Sequence, residues 1–283
     1  MVEFATPGSA AEAAEILARH GPQARCLAGG TDLVIGMRNK GVAPRCLVDL
    51  KRIPELRQVT WDAADGGAPD LVIGAAVPLA QLARVPELRR LCPGLLDAID
   101  VFGAYPLRTR ASLGGNIGNA SPAADTIPPL ITLDAQVEVQ GPGRRRLAPL
   151  ESLLVGPGRT TLGHDELIAA VRIPGSALGR PGRYLRLGRR LGMELALVGV
   201  AVHRPSDGGV RIAFASVAPT PLRARQAEAA LAQVGAEVGG VEAAVAAALR
   251  EVRPITDVRA SLAYRKHLVQ VLLRRALGSV LEV

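Results

Sequence analysis

Apolar and polar residues follow one another along this chain with short, changing periods, and the changes mark its elements. Val2 to Ala5 reads as a strand, and Ser9 to His20 as a helix that opens with Ser9 and Glu12 at capping-box spacing and closes at Gly21. A strand from Arg25 to Leu27 follows, then a helix from Thr31 to Met37 and a β-like run from Cys46 to Asp49. Arg57 to Trp61 and Leu71 to Ala75 pair across the Asp65-Gly66-Gly67 turn and open a second unit. In it, Leu79 to Arg84 and Gly94 to Val101 read as helices, a glycine-rich loop intervenes, and Asp125 to Leu133 resumes helix. Gln136 to Gln140, Leu147 to Leu150 and Glu166 to Ile173 supply strands, separated by the Gly141-Pro142-Gly143 turn.

Ile173-Pro174-Gly175 and the Pro/Gly/Arg-rich stretch to Gly182 mark a boundary. Beyond it Tyr184 to Leu191, Ala196 to Arg204 and Val210 to Ala218 read as an antiparallel meander, the last two joined across Ser206-Asp207-Gly208-Gly209. Helices near Ala224 to Val234, Val241 to Val252 and Ser261 to Ala276 close the chain. Strands followed by helices predict an α+β domain.

Composition narrows the function. A chain of 283 residues with 48% hydrophobic content folds and has room for two cores. With only 2% aromatics it lacks the stacking platforms of single-strand nucleic-acid binders. The net charge of +8 comes from arginines spread over the whole length, a compositional bias that leaves some of them for a cofactor phosphate or an acidic partner subunit. Cys26, Cys46 and Cys92 form no C-x-x-C pair, and His20, His164, His203 and His267 stand apart, so no intrinsic metal or iron–sulfur site is expected. No signal segment and no run of eighteen apolar residues is present, which makes the cytoplasm the expected address.

The candidate chemistry lies in two glycine loops, Ala28-Gly29-Gly30-Thr31-Asp32 and the stretch from Ser112 to Asp125. The first, taken alone, is as well explained by a turn. The second holds three glycines, two asparagines, two serines and an aspartate in fourteen positions, without a Lys or Glu to keep it at the surface. Small polar groups packed among glycines suit a backbone that approaches a phosphate closely, and together the loops could clamp one diphosphate.

The residues in order carry a family resemblance. Leu27-Ala28-Gly29-Gly30-Thr31-Asp32, then Val48-Asp49-Leu50-Lys51-Arg52-Ile53-Pro54-Glu55-Leu56, then Ile73-Gly74-Ala75, then Arg108 through Ser112-Leu113-Gly114-Gly115-Asn116-Ile117-Gly118-Asn119-Ala120-Ser121-Pro122-Ala123-Ala124-Asp125 closely resemble the FAD-binding medium subunit of molybdenum hydroxylases, the flavoprotein family of xanthine dehydrogenase and aerobic carbon monoxide dehydrogenase. Tyr184 to Arg190 and Asp257 to Arg265 continue it over nearly the whole chain.

The resemblance implies a vanillyl-alcohol-oxidase-like (PCMH-type) FAD-binding domain over residues 1–176, built of α+β subdomains 1–55 and 56–176, and a C-terminal α+β domain over 177–283. It implies noncovalent FAD whose diphosphate and ribityl are lined by Leu27, Ala28, Gly29, Gly30, Thr31, Asp32, Leu33 and Val34. Ser112, Leu113, Gly114, Gly115, Asn116, Asn119 and Ser121 would join them, with Ser112 and Asn116 as hydrogen-bonding groups and Asp125 accepting from the cofactor. Leu167 would touch the cofactor or pack in the core, Tyr184 would lie against the isoalloxazine or likewise pack in the core, and Arg186 stands where the family often has Lys. Thr109 departs from the usual Asn, and the four-cysteine segment of 4-hydroxybenzoyl-CoA reductases is missing. No residue is assigned a catalytic role.

By the same resemblance a large molybdopterin-binding subunit oxidises the substrate and a small subunit with two two-iron two-sulfur clusters relays electrons. This chain would pass them through FAD to NAD or another acceptor, in a dimer of heterotrimers. The competing readings are a stand-alone FAD reductase on the same cofactor fold, such as the peptidoglycan-precursor reductases, and a basic RNA- or scaffold-binding protein without a chromophore. Neither the substrate nor the terminal acceptor is legible in this chain.

Overall fold

The structure is a computed structural model that describes residues 2–39, 41–63, 67–190 and 192–282. Asp65 and Gly66 of the expected turn and Leu191 at the expected end of the third-region strand lie outside the described residues.

The first unit is a parallel three-stranded sheet of β1 (Glu3–Ala5), β2 (Ala24–Leu27) and β3 (Cys46–Asp49), with β3 in the centre. Its crossover helix α1 (Ala10–His20) starts where Ser9 Oγ accepts from the Glu12 amide at 3.1 Å, while Glu12 reaches back to the Gly8 amide at 2.7 Å. Gly21, at φ +54°, ends it. Ala10, Ala13, Ala14 and Leu17 bury one face of α1 against Cys46, Val48 and Leu50 on one side and Leu167 and Ala169 of the next sheet on the other. The helix α2 (Leu33–Asn39) begins two residues later than expected, after the glycine turn.

The second unit carries a five-stranded antiparallel sheet, ordered β4-β5-β10-β6-β7. Its strands are β4 (Val59–Asp62), β5 (Asp70–Gly74), β6 (Gln136–Gly141) and β7 (Arg144–Pro149), a separate hairpin of β8 (Leu154–Gly156) and β9 (Arg159–Thr160), and then β10 (Leu167–Ile173). Central β10 is buried on both faces, which is why it reads as one apolar run. Between β5 and β6 the chain runs through α3 (Leu79–Leu82), α4 (Pro86–Leu91), α5 (Pro93–Val101), α6 (Tyr105–Arg108), α7 (Leu113–Asn119) and α8 (Ile127–Thr132), and α9 (Leu150–Leu153) follows β7. Leu95, Leu96, Ile99, Leu113, Ile117, Ile127 and Leu130 from these helices close over Leu71, Ile73, Val137, Val139 and Val171.

Part of the second glycine loop is therefore helix. Ser112 caps α7 by accepting from the Gly115 amide at 3.2 Å, and a side chain at Gly114 would sit 2.5 Å from Ala75 Cβ. Glycine's low helix propensity hides this helix, which is held by tertiary packing.

The third unit is the expected meander: β11 (Gly182–Leu187), β12 (Val198–His203), β13 (Arg211–Ala215) and a short β14 (Leu222–Arg223), followed by α10 (Arg225–Val234), α11 (Val238–Glu251) and α12 (Leu262–Leu281). β11 ends at Leu187, short of the expected extent. Val198, Val200, Val202 and Phe214 pack under Leu268, Val269, Leu272 and Leu273 of α12. From the other face Tyr184 and Ala201 meet Ala98 of α5, and Ala213 joins the core of the second unit. The second and third units thus share a buried seam, and the site lies along it.

Candidate functional site

Folding brings the two glycine segments together by backbone contact. A Cβ on Gly29 would lie 1.9 Å from the carbonyl oxygen of Arg110, so Gly29 is glycine because the chain entering the second segment crosses it. Gly30 is glycine for a different reason, a left-handed backbone at φ +76°. Across the junction Asn119 Nδ2 donates to Asp32 Oδ1 at 3.2 Å.

The segments offer different chemistry. Among the described residues the amides of Gly29, Gly30, Thr31, Asp32 and Leu33 donate to no protein acceptor, so this turn presents a row of free N–H groups. In the second segment the amides are used: Gly114 donates to Ala75, Gly115 to Ser112 Oγ and Asn116 to the Ser112 carbonyl. What it leaves open is surface. A Cβ at Gly118 would meet nothing within 4 Å and one at Gly115 only Ser112 Oγ at 3.2 Å, and the two glycines lie on one face of α7. Neither has a positive φ, so nothing within the described chain demands glycine at Gly118.

Next to these glycines on α7, Asn116 and Asn119 line a cleft of about 340 Å³. Thr31, Asp32, Asn116, Asn119, Ser121 and Asp125 form its polar wall. The opposite wall is apolar, from Phe102 and Leu107 of the second unit and Met193 and Leu195 of the third. Gly118 and these apolar residues were not singled out as site residues in sequence. Leu107 lies in the one-turn helix α6 and the other three on connections, all without a motif, and only the absence of charge around Gly118 hinted at its setting.

Asp125 is the carboxylate at the seam. It is 5% exposed, and it accepts from Tyr184 Oη at 2.7 Å on Oδ1 and from Arg186 at 2.9 Å on Oδ2. Burial pushes its pKa up to about 6, against the pull of Arg186 and the two hydrogen bonds. Burial also pushes the Tyr184 phenol well above its ordinary value, and the neighbouring Asp125 charge adds to it, so Tyr184 stays a donor. Arg186 also donates to the carbonyl of Glu194, tying the strand to the apolar cleft wall.

The remaining expected residues are placed as follows. Leu27, Ala28 and Leu33 are half-buried around the turn, and Val34 is exposed beside it. Leu113 and Leu167 are core residues at 0% and 2% exposure. Tyr184, expected against the isoalloxazine or in the core, is 3% exposed and stands behind Asp125 rather than on the cleft wall, and Arg186 braces the same carboxylate.

Away from the cleft, Glu3, His20 and Cys46 bring ligand-type atoms within 4.8 Å of one another, a grouping invisible in sequence because three elements contribute it. Burial pushes the Cys46 thiol above its ordinary value, and His20 Nε2 lies 3.6 Å from Glu3 Oε2, so we read the group as a packed thiol beside a His–Glu contact. No helix among the described residues is long and apolar enough to cross a membrane.

A turn with free amides and a helix with an open glycine surface, joined by the Asn119–Asp32 bond beside a cleft with one polar and one apolar wall, suit a cofactor that has both a phosphate-bearing tail and an apolar ring system. These features define a cofactor-binding protein.

The family described as the FAD binding domain in molybdopterin dehydrogenase matches residues 1–176, and the CO dehydrogenase flavoprotein C-terminal domain matches residues 183–280. The chain belongs to this family of FAD-binding subunits of molybdenum hydroxylases. It is 32% identical to the xanthine dehydrogenase FAD-binding subunit of Escherichia coli O157:H7, over 98% of this chain and 96% of that one. It is 30% identical to the carbon monoxide dehydrogenase medium chain of Hydrogenophaga pseudoflava, with the same coverage. Among solved structures, the carbon monoxide dehydrogenase of Hydrogenophaga pseudoflava that lacks the Mo-pyranopterin moiety superposes with a TM-score of 0.91 at 32% identity, covering 99% of this chain and 96% of that one. The reconstituted enzyme of Oligotropha carboxidovorans does so with a TM-score of 0.92 at 29% identity, covering 100% and 98%.

Proposed function

We propose that this chain holds one FAD noncovalently along the cleft and serves as the electron-transfer subunit of a molybdenum-containing hydroxylase or dehydrogenase. In this role it passes electrons from iron–sulfur clusters on a partner subunit to NAD or another acceptor. The observation that carries the reading is the complementarity of the two segments, free amides on residues 29–33 and an uncovered glycine face on α7.

The flavin, when bound, supplies one- and two-electron chemistry that no side chain can. The chain's own residues bind and orient it. Within the turn from Leu27 to Val34, the free amides of residues 29–33 would cradle the phosphates, Thr31, Ser112, Asn116, Asn119 and Ser121 would add polar contacts, Gly114 lets α7 pack on Ala75, and Gly115 and Gly118 keep the approach open. Asp125 is the acceptor at the seam, held in place by Tyr184 and Arg186, while Leu167 supports the floor from the core. The apolar wall of Phe102, Leu107, Met193 and Leu195 excludes water from the ring system.

The partners are a large molybdopterin-binding subunit and a small subunit carrying two-iron two-sulfur clusters, assembled as a dimer of heterotrimers in the cytoplasm. The likeness to medium chains over both halves favours this subunit role over a self-contained FAD reductase.

The test is a visible absorption spectrum and a turnover assay on the purified chain. The expected result is one flavin per chain, reducible by dithionite, with no oxidation of a heterocycle, an aldehyde or carbon monoxide until the partner subunits are added. A chain that neither carries nor takes up flavin, or that oxidises such a substrate alone without molybdenum, overturns the proposal.

A further inference from the structure

We infer that Thr126, a residue outside both the glycine motif and the cleft wall, is a positioning residue for the cofactor. Its hydroxyl locks the Asn116 amide so that the NH₂ group faces the cleft and recognises a hydrogen-bond acceptor, a phosphate or ring-carbonyl oxygen. The inference rests on the FAD reading above.

Thr126 is 0% exposed, and its Oγ1 donates to Asn116 Oδ1 at 2.7 Å. It occupies the residue before α8 but makes no side-chain cap there, its backbone being already helical at φ −79°, ψ −17°. Asn116 Oδ1 is the one side-chain partner of this hydroxyl among the described residues. A fully buried hydroxyl must place its proton on an acceptor. Were the amide turned over, the hydroxyl would face an NH₂ group and its proton would have nowhere to go. The polarity of Asn116 is therefore set from behind.

The consequence appears at the other end of the amide. Asn116 Nδ2 makes no hydrogen bond within the described protein, yet it is not among the enclosed polar atoms that lack a partner, which are His203 Nε2 and Arg265 Nε. Its open side is the cleft, whose wall Asn116 helps to form. Helix α7 holds the Asn116 backbone by its bond to the Ser112 carbonyl at 2.9 Å, so the whole group is rigid. The neighbouring Asp125 turns the other way and is itself held by Tyr184 and Arg186, so of these two consecutive residues one is an oriented group and the other orients Asn116.

A double-mutant cycle tests the inference, with apo-protein titrated by FAD and the dissociation constant read from flavin fluorescence. Thr126→Val keeps the shape and removes the donor. It should weaken FAD binding by roughly tenfold, the equivalent of one hydrogen bond, while Thr126→Ser restores binding to near wild type. In an Asn116→Ala background Thr126→Val should weaken binding no further. Competing FAD off with ADP and titrating riboflavin directly assigns the acceptor: the loss follows ADP if it is a phosphate oxygen and riboflavin if it is a ring carbonyl.

Thr126→Val binding FAD as wild type does, or losing the same factor without the Asn116 amide, overturns the inference. Should Thr126→Val fail to fold, Asn116→Asp decides: with one carboxylate oxygen held by Thr126, the other faces the cleft and should repel the acceptor, and unchanged FAD affinity overturns the polarity. A wild-type chain that takes up no FAD refutes the cofactor reading itself. A wild type that binds FAD beside an unaffected Thr126→Val refutes only the role of Thr126.

Discussion

Tyr184 and Asp125 are 59 residues apart in the chain and joined by one hydrogen bond, the phenol donating to Oδ1 at 2.7 Å. With Arg186 on the second oxygen, a carboxylate from the second unit is gripped by a strand of the third. The same seam carries the apolar cleft wall, because Arg186 also holds the carbonyl of Glu194 between Met193 and Leu195. On the proposed reading, in which Asp125 accepts from the cofactor, cofactor binding and the packing of the two units are coupled through one acid.

The pH dependence of stability reports on that acid. Asp125 in the folded chain titrates at about 6, above the ordinary carboxylate value, so between about pH 4 and 6 the native state holds a proton that the unfolded state has released. Its contribution therefore improves as the pH falls through 6 and fades as the pH rises. Asp125→Asn should abolish this component, on the order of 2–3 kcal/mol across the window at most. Denaturant unfolding of the apo-chain at pH 4, 5 and 6 checks it, and equal slopes for wild type and variant would refute the assignment.

His203 gives the opposite sign. It is 2% exposed with Nε2 unpartnered, on the wall of a small cavity it shares with Gly94, Thr132 and Gly182, and burial pushes its pKa down to about 4. Below pH 6.5 the unfolded chain takes up a proton that the native chain refuses, so stability from this group is lost as the pH falls from 6.5 towards 4. His203→Gln should leave the chain less sensitive to acid in that range, measured by the shift in Tm between pH 7 and pH 5.

The glycines separate by mechanism. Gly118→Ala places a methyl in open space on a helix and should raise apo-protein stability by up to about 1 kcal/mol through helix propensity. Gly118→Val and Gly115→Val should leave the apo-chain folded but fill the approach and abolish flavin retention. Circular dichroism melts and flavin-to-protein absorbance ratios together decide it, and a full flavin complement in both Val variants would show that the cofactor lies elsewhere.

Gly29→Ala should instead damage the fold. The added methyl meets the Arg110 carbonyl oxygen at 1.9 Å, a backbone atom that cannot step aside, so a loss above about 3 kcal/mol is expected even without cofactor. An apo-chain with unchanged melting temperature and impaired flavin binding would mean that Gly29 serves the ligand alone.

Signals that act within a few residues were legible in the sequence. The Ser9 cap and the Gly21 stop bound α1, the runs of β3, β5 and β10 show as apolar strands, and the two glycine segments with their small polar neighbours point to a phosphate and carry the family resemblance. Short elements such as α4, α6, α9 and β14 were not, because two to six residues hold too few periods and take their shape from packing.

The sequence by itself determined the α+β class, the FAD-subunit family and most of the polar wall. Only the tertiary structure decided what each residue does there. Gly29 and Gly118 look alike in the chain, yet one is crossed by the Arg110 backbone and the other faces open space. Nor do local rules select the partners of Asp125 and Asn116, since Tyr184 and Arg186 reach Asp125 only once the seam is closed, and Thr126 reaches Asn116 only once the segment before α8 has folded back on α7. The reason is that a glycine's necessity and a buried polar group's partner are properties of what approaches from elsewhere, and close approach between distant segments exists only after the chain has packed.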